Sequence, residues 1–168
     1  MSKDHCSISF NGVDLTVENQ SNFVSIKGVE DFMQNKKLNI EVMKSPNIQE
    51  IDLALNTDDI ISLDCEINLV VDEGGRLMLL DEASYSNNTN IKLKTYLNKD
   101  SLLELYKLNV YKQENTNKFH HDCSLLENCI FKDYSLSNGS KENFSKTVIN
   151  LNDINSKYLG SGVSINNS

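Results

Sequence analysis

The chain has 168 residues, 39% of them hydrophobic and 24% charged, with a formal net charge of −8. That length suits one domain, and the apolar share is enough to fold but lean for a compact globule, which favours an elongated shape with much exposed surface. The acidic balance excludes an electrostatic drive toward nucleic acid or an anionic membrane, because Lys36 with Lys37 and Lys92 with Lys94 are too few to reverse it.

No window is long and apolar enough to span a bilayer, and Met1-Ser2-Lys3-Asp4-His5 lacks the apolar stretch of a signal peptide. A cytoplasmic location is expected, or a plastid-like organelle if a leader has been removed. Cys6, Cys65, Cys123 and Cys129 are then reduced thiols.

From the N-terminus, residues 7–10 (SISF), Asn11-Gly12 and residues 13–17 (VDLTV) read as strand, turn and strand. Residues 29–37 (VEDFMQNKK) suit one short helix, with acids early and lysines late as the helix dipole favours. Residues 51–55, 56–59 and 60–63 form a short unit of strand, polar turn and strand.

Four longer units of the same kind follow. They are residues 67–71, 72–75 and 77–80; then 91–97, 98–100 and 102–108; then 121–126, 127–128 and 130–136; then 147–151, 152–156 and 158–165. Leu77, Leu102, Ile130 and Tyr158 hold equivalent places at spacings of 25 to 28 residues, the range of stacked repeats, and are expected to form one column. Alternation sends Leu102, Glu104, Tyr106 and Leu108 one way and Leu103, Leu105 and Lys107 the other. Because like positions recur one full unit apart, a parallel β-helix is favoured over a sandwich or meander. No unit can bury its apolar face alone, but stacked neighbours share a core.

Five runs carry a family resemblance. They are residues 67–82 (INLVVDEGGRLMLLDE), residues 102–110 (LLELYKLNV), Phe119-His120, residues 131–141 (FKDYSLSNGSK) and residues 148–151 (VINL). In order and spacing they resemble the SufB/SufD family of the SUF iron–sulfur cluster assembly system. Phe131, Ser135, Leu136, Ser137, Gly139 and Lys141 are similar to SufD rather than SufB. The resemblance implies an all-β, right-handed parallel β-helix with at most one short helix near residues 29–37. It covers a SufD-like core (65–168); the N-terminal segment (1–64) matches the family poorly, and its strand–turn–strand units are expected to be early rungs.

It further implies a non-catalytic scaffold that binds SufB-like proteins and the SufC-like ATPase, with neither nucleic acid nor membrane as partner. The iron–sulfur cluster belongs to the full complex, with no cofactor bound by this segment. Family members continue through further rungs that hold their functional residues, whereas this chain stops at Ser168. It is therefore expected to be a fragment or truncated relative, with no catalytic, cofactor-binding or metal residue to assign.

Other chemistry reads weakly. His120, His121, Asp122, Cys123 and Cys129 are metal-ligand types. Alternation parts His121 and Cys123 from His120 and Asp122, so only His121, Cys123 and Cys129 can converge, and the spacing fits no zinc motif. Asp58-Asp59, Asp72-Glu73, Asp81-Glu82 and Asp100 read as acidic turns. Only Asp72-Glu73-Gly74-Gly75 has the glycines a calcium repeat needs, and paired carboxyls at turns suit glycoside hydrolysis only by chance.

Nucleophile and phosphate-loop motifs are absent, and Gly160-Ser161-Gly162 is a pair of turn glycines. Tyr85, Tyr106, Phe131, Tyr134 and Tyr158 are expected to stack in the core. The alternative function is a β-helix carbohydrate-binding or carbohydrate-active module.

Overall fold

The computed structural model describes residues 5–56, 62–85, 87–111, 115–139 and 142–165. An N-terminal group of elements comprises β1 (His5–Phe10), β2 (Leu15–Glu18), β3 (Val24–Lys27) and α1 (Phe32–Asn35). Ten further strands follow in pairs: β4 (Lys37–Val42) with β5 (Gln49–Leu55), β6 (Ser62–Val71) with β7 (Arg76–Tyr85), β8 (Asn88–Leu97) with β9 (Leu102–Tyr111), β10 (Thr116–Leu125) with β11 (Ile130–Asn138), and β12 (Glu142–Leu151) with β13 (Lys157–Ile165).

The two members of a pair do not hydrogen-bond to each other. One sheet has the order β13-β11-β9-β7-β5-β1-β2 and the other β12-β10-β8-β6-β4-β3. Among β4 to β13 every pairing is parallel and joins strands one coil apart, so the chain winds as a β-solenoid of about four turns. This is the parallel β-helix that the repeat implies, with α1 as the short helix.

The two sheets face each other across a lumen. On β6, Leu63, Cys65, Ile67, Leu69 and Val71 alternate inward, and β5 sends Ile51, Leu53 and Leu55 to meet them. Each fully buried leucine or isoleucine stabilises the fold by roughly 1.5–3 kcal/mol relative to exposure. Neither face can hide its apolar row without the other.

The corners are built from polar residues able to hold the left-handed backbone. Gly74, Asp100, Asn128 and Asn155 take φ of 67°, 58°, 57° and 60° at equivalent places. Glycine has no Cβ penalty there, and Asn and Asp tolerate it best among other residues. Backbone bonds run from Gly74 N to Lys99 O, from Asp100 N to Glu127 O and from Asn128 N to Ile154 O.

The column expected for Leu77, Leu102, Ile130 and Tyr158 is two columns. Leu77 aligns with Leu103, Phe131 and Tyr158, all lumen positions, whereas Leu102 and Ile130 align with Arg76 and Lys157 on the outside. A slip of one residue exchanges the faces of a strand. The second strand of the first long unit also runs on through Asp81-Glu82, which lie inside β7 and are not a turn. Tyr106 and Tyr134 are correspondingly outside, stacked at 5.1 Å, and among the described side chains of the expected aromatic core Phe131 alone is fully buried. Tyr158 is partly covered, its ring lying where a side chain on Gly160 would collide with it. The side chain of Tyr85 lies outside the described residues.

At the N-terminal end the pairing changes sense. Residues 7–17 are an antiparallel hairpin of β1 with β2, although β1 also continues the parallel ladder on β5. β3 lies antiparallel on β4. Phe32 of α1 meets Phe10 edge-on at 5.3 Å and is buried, closing the core at this end. Of the short unit at residues 51–63, residues 57–61, including Asp58-Asp59, lie outside the described residues.

Candidate functional site

The cluster of metal-ligand types falls on β10 and the corner after it. Alternation holds: His121 and Cys123 are fully buried, while His120 and Asp122 point outward and bond each other at 3.0 Å. His121 Nε2 lies 2.9 Å from Thr95 Oγ1, and its ring meets Phe131 edge-on at 5.3 Å. Burial first, then the charges of Lys107 and His120, holds the His121 imidazole down to about 3, so the ring is neutral.

Cys129 turns away into the corner. Its thiol donates to the carbonyls of Leu97 and Asn98, at 3.3 and 2.9 Å. Burial raises the Cys123 thiol above its ordinary value and pushes Cys65 up to about 12. All four cysteines are free and buried. Among the described residues, no group of three or more His, Cys, Asp or Glu is arranged to hold a metal ion.

The acidic turns separate similarly. Asp72 Oδ1 accepts from Asn98 Nδ2 at 3.5 Å, and Asp100 Oδ1 accepts from Asn128 Nδ2 at 2.8 Å, so both serve corner stacking. Asp81 points into the lumen and is buried, whereas Glu82 faces out. Lys94 and Lys37 both bind Glu66, at 2.7 and 3.0 Å. Hydrogen bonds from Lys94 and then Lys37 pull the Glu66 carboxyl down to about 2.

Two features emerge that motif reasoning missed. One is an ionic group inside the lumen. Lys107 on β9 has its Nζ 3.0 Å from Asp133 Oδ1 and donates a hydrogen bond to Oδ2 at 3.2 Å, with both side chains buried. The ammonium also lies over the Phe119 ring at 4.8 Å. The signal was present: alternation put Lys107 on the face of Leu103 and Leu105.

The other is the outer face of the sheet carrying β9, β11 and β13. Leu108, Tyr134, Leu136, Leu159 and Val163 are exposed there as one apolar surface, while Lys132 and Glu104 pair at 2.6 Å beside it. A shallow groove of about 340 Å³ runs across it, between Tyr106 and Leu108 on one side and Gly162 and Val163 on the other. Apolar exposure of this extent marks a contact surface more often than a bare wall.

Fold and surfaces together define a β-solenoid with a partly ionic lumen and an apolar outer face on β9, β11 and β13. No protein-family model, curated protein or solved structure matches the chain. Among the described residues no helix is long and apolar enough to cross a membrane.

Proposed function

We propose that the chain acts by protein–protein contact, as a non-catalytic scaffold of the SufD kind in iron–sulfur cluster assembly, docking onto SufB-like and SufC-like partners. The observation that carries the contact reading is the apolar outer face of β9, β11 and β13, where Leu108, Leu136, Leu159 and Val163 stand in water. Burying such a surface against a partner is favourable at roughly 25 cal/mol per Å² of apolar area. The parallel solenoid and the order of the residue runs at 67–82, 102–110 and 131–141 support the pathway. Any cluster chemistry belongs to the assembled complex, with this chain supplying shape. Co-expression with SufB- and SufC-type proteins, followed by affinity purification and gel filtration, tests the reading. Co-elution as one complex is expected, and a well-folded chain eluting alone would overturn it.

The groove itself favours a second reading. Tyr106 and Tyr134 lie nearly parallel along a groove that Ser135 and Ser161 also line, and aromatic rings next to hydroxyls suit a sugar. A carbohydrate-binding solenoid would show saturable binding to a glycan array, lost in Tyr134→Ala. A SufD-like scaffold would show none.

A further inference from the structure

Asp81 is 4% exposed, with its side chain in the lumen. Around it stand Leu53 of β5, Ile67 of β6, Ile91 and Leu93 of β8, Leu105 of β9 and Phe119 of β10, all apolar. Its Oδ1 has no hydrogen-bond partner among the described residues. The nearest cation along the ladder is Lys107, its register partner on β9, but that ammonium is bonded to Asp133 of β11. The other titratable groups facing this stretch are the Cys65 thiol of β6 and His121 of β10, whose Nε2 is engaged with Thr95. Among the described residues the lumen thus holds two carboxyl groups, Asp81 and Asp133, for one ammonium. A second carboxylate sealed in apolar surroundings is far costlier than a protonated acid, so the spare charge is best removed by a proton.

We infer that Asp81 is a proton-operated joint in the solenoid. Neutral, it lets the coil of β7 to β9 close over it; ionised, it drives that coil toward opening, where the carboxylate reaches water. The electrostatics agree in direction: burial pushes the Asp81 carboxyl up to about 7, with Lys107 opposing. In the unfolded chain an aspartate titrates near its ordinary value of about 4. Closing the coil therefore takes up a proton between about pH 4 and the folded value. Because the folded state binds more protons there, stability falls as pH rises through that window and stays lowered above it. The inference concerns the lumen alone and holds whatever the outer face binds.

The test compares the full chain with Asp81→Asn, which keeps the shape and removes the charge. Urea midpoints measured from pH 4 to pH 9 should diverge steadily up to about pH 7 in favour of the asparagine variant, then run parallel. Hydrogen exchange in β7 and β9, corrected for intrinsic rates, should quicken over the same window in the parent only. A carboxyl-carbon NMR titration of the parent should place the Asp81 midpoint well above the other aspartates, and this reading does not depend on the variant folding. An Asp81 midpoint near 4, or a gap between the two proteins that does not change with pH, would overturn the inference.

Discussion

Asn128 Nδ2 donates to Asp100 Oδ1 at 2.8 Å, one coil below, and Asn128 Oδ1 accepts from Asn155 Nδ2 at 3.2 Å, one coil above. The three residues share a left-handed backbone, so the corner that each turn needs also supplies the side chains that tie successive turns together. Asn128→Ala loses both bonds and replaces a residue that tolerates the left-handed backbone at φ 57° with one that tolerates it less well, which should cost about 2 kcal/mol in all. Asn128→Gly removes the bonds but relieves the backbone, and its cost should be about half of that. Urea unfolding of the two variants checks the order.

Lys107→Met should be among the most damaging single changes. It strands Asp133 as an unpaired buried charge in the lumen, at about 3–5 kcal/mol. The double variant Lys107→Met with Asp133→Leu removes both charges and should recover most of that loss. A double-mutant cycle by chemical denaturation gives the coupling directly.

The register of the stacked coils predicts a sharp contrast between two adjacent leucines. Leu103 is fully buried in the column of Leu77 and Phe131, and Leu103→Ala should cost about 2–5 kcal/mol. Leu102 faces outward beside Arg76 and Ile130, and Leu102→Ala should cost under about 1 kcal/mol. Thermal melts of the pair distinguish this register from one shifted by a residue, which would reverse the order.

At the acid end the controlling group is Glu66. Its folded carboxyl sits below the unfolded value because Lys94 and Lys37 donate to it, so its contribution is present above about pH 4.5 and is lost as pH falls toward 2. The site is part-exposed, which limits the contribution to about 1 kcal/mol. Glu66→Gln should flatten this part of the acid limb of the stability curve, as urea midpoints of the two proteins measured from pH 2 to pH 6 will check.

Cys65 and Cys123 are buried thiols held protonated well above neutrality. Alkylating reagents act on the thiolate, so neither should label in the folded protein at pH 8, and both should label promptly in urea. Peptide mapping after iodoacetamide reads this residue by residue.

Much of the solenoid was legible because alternation and a spacing near one coil are local, repeated signals. The same rule that sent Leu103, Leu105 and Lys107 to one face already contained the ionic lumen. The misplaced details have a common cause. Leu102-Leu103 and Ile130-Phe131 are apolar doublets, so periodicity alone aligns either member, and only pairing with Leu77 and Tyr158 chooses. Asp81-Glu82 reads as a corner because two acids together are usually solvated, yet the strand continues through them and buries the first. Residues 7–17 have the strand–turn–strand pattern of a coil. They fold as a hairpin, whose turn is closed locally by Asn11 Oδ1 accepting from the backbone N–H groups of Val13 and Asp14, a detail that the strand–turn–strand pattern does not separate from a corner. The apolar outer face was hidden in the same doublets: once Leu103 and Phe131 go inward, Tyr106, Leu108, Tyr134 and Leu136 are committed outward.

That outer face is where the scaffold reading is most exposed to test. Leu136 is 43% exposed at its centre, so Leu136→Lys adds charge there without disturbing the lumen. In co-purification with SufB- and SufC-type proteins, the parent chain should elute in the complex, and the variant should elute alone with an unchanged melting temperature. A parent chain that never joins the complex, or a variant that joins it equally well, would contradict docking through this face.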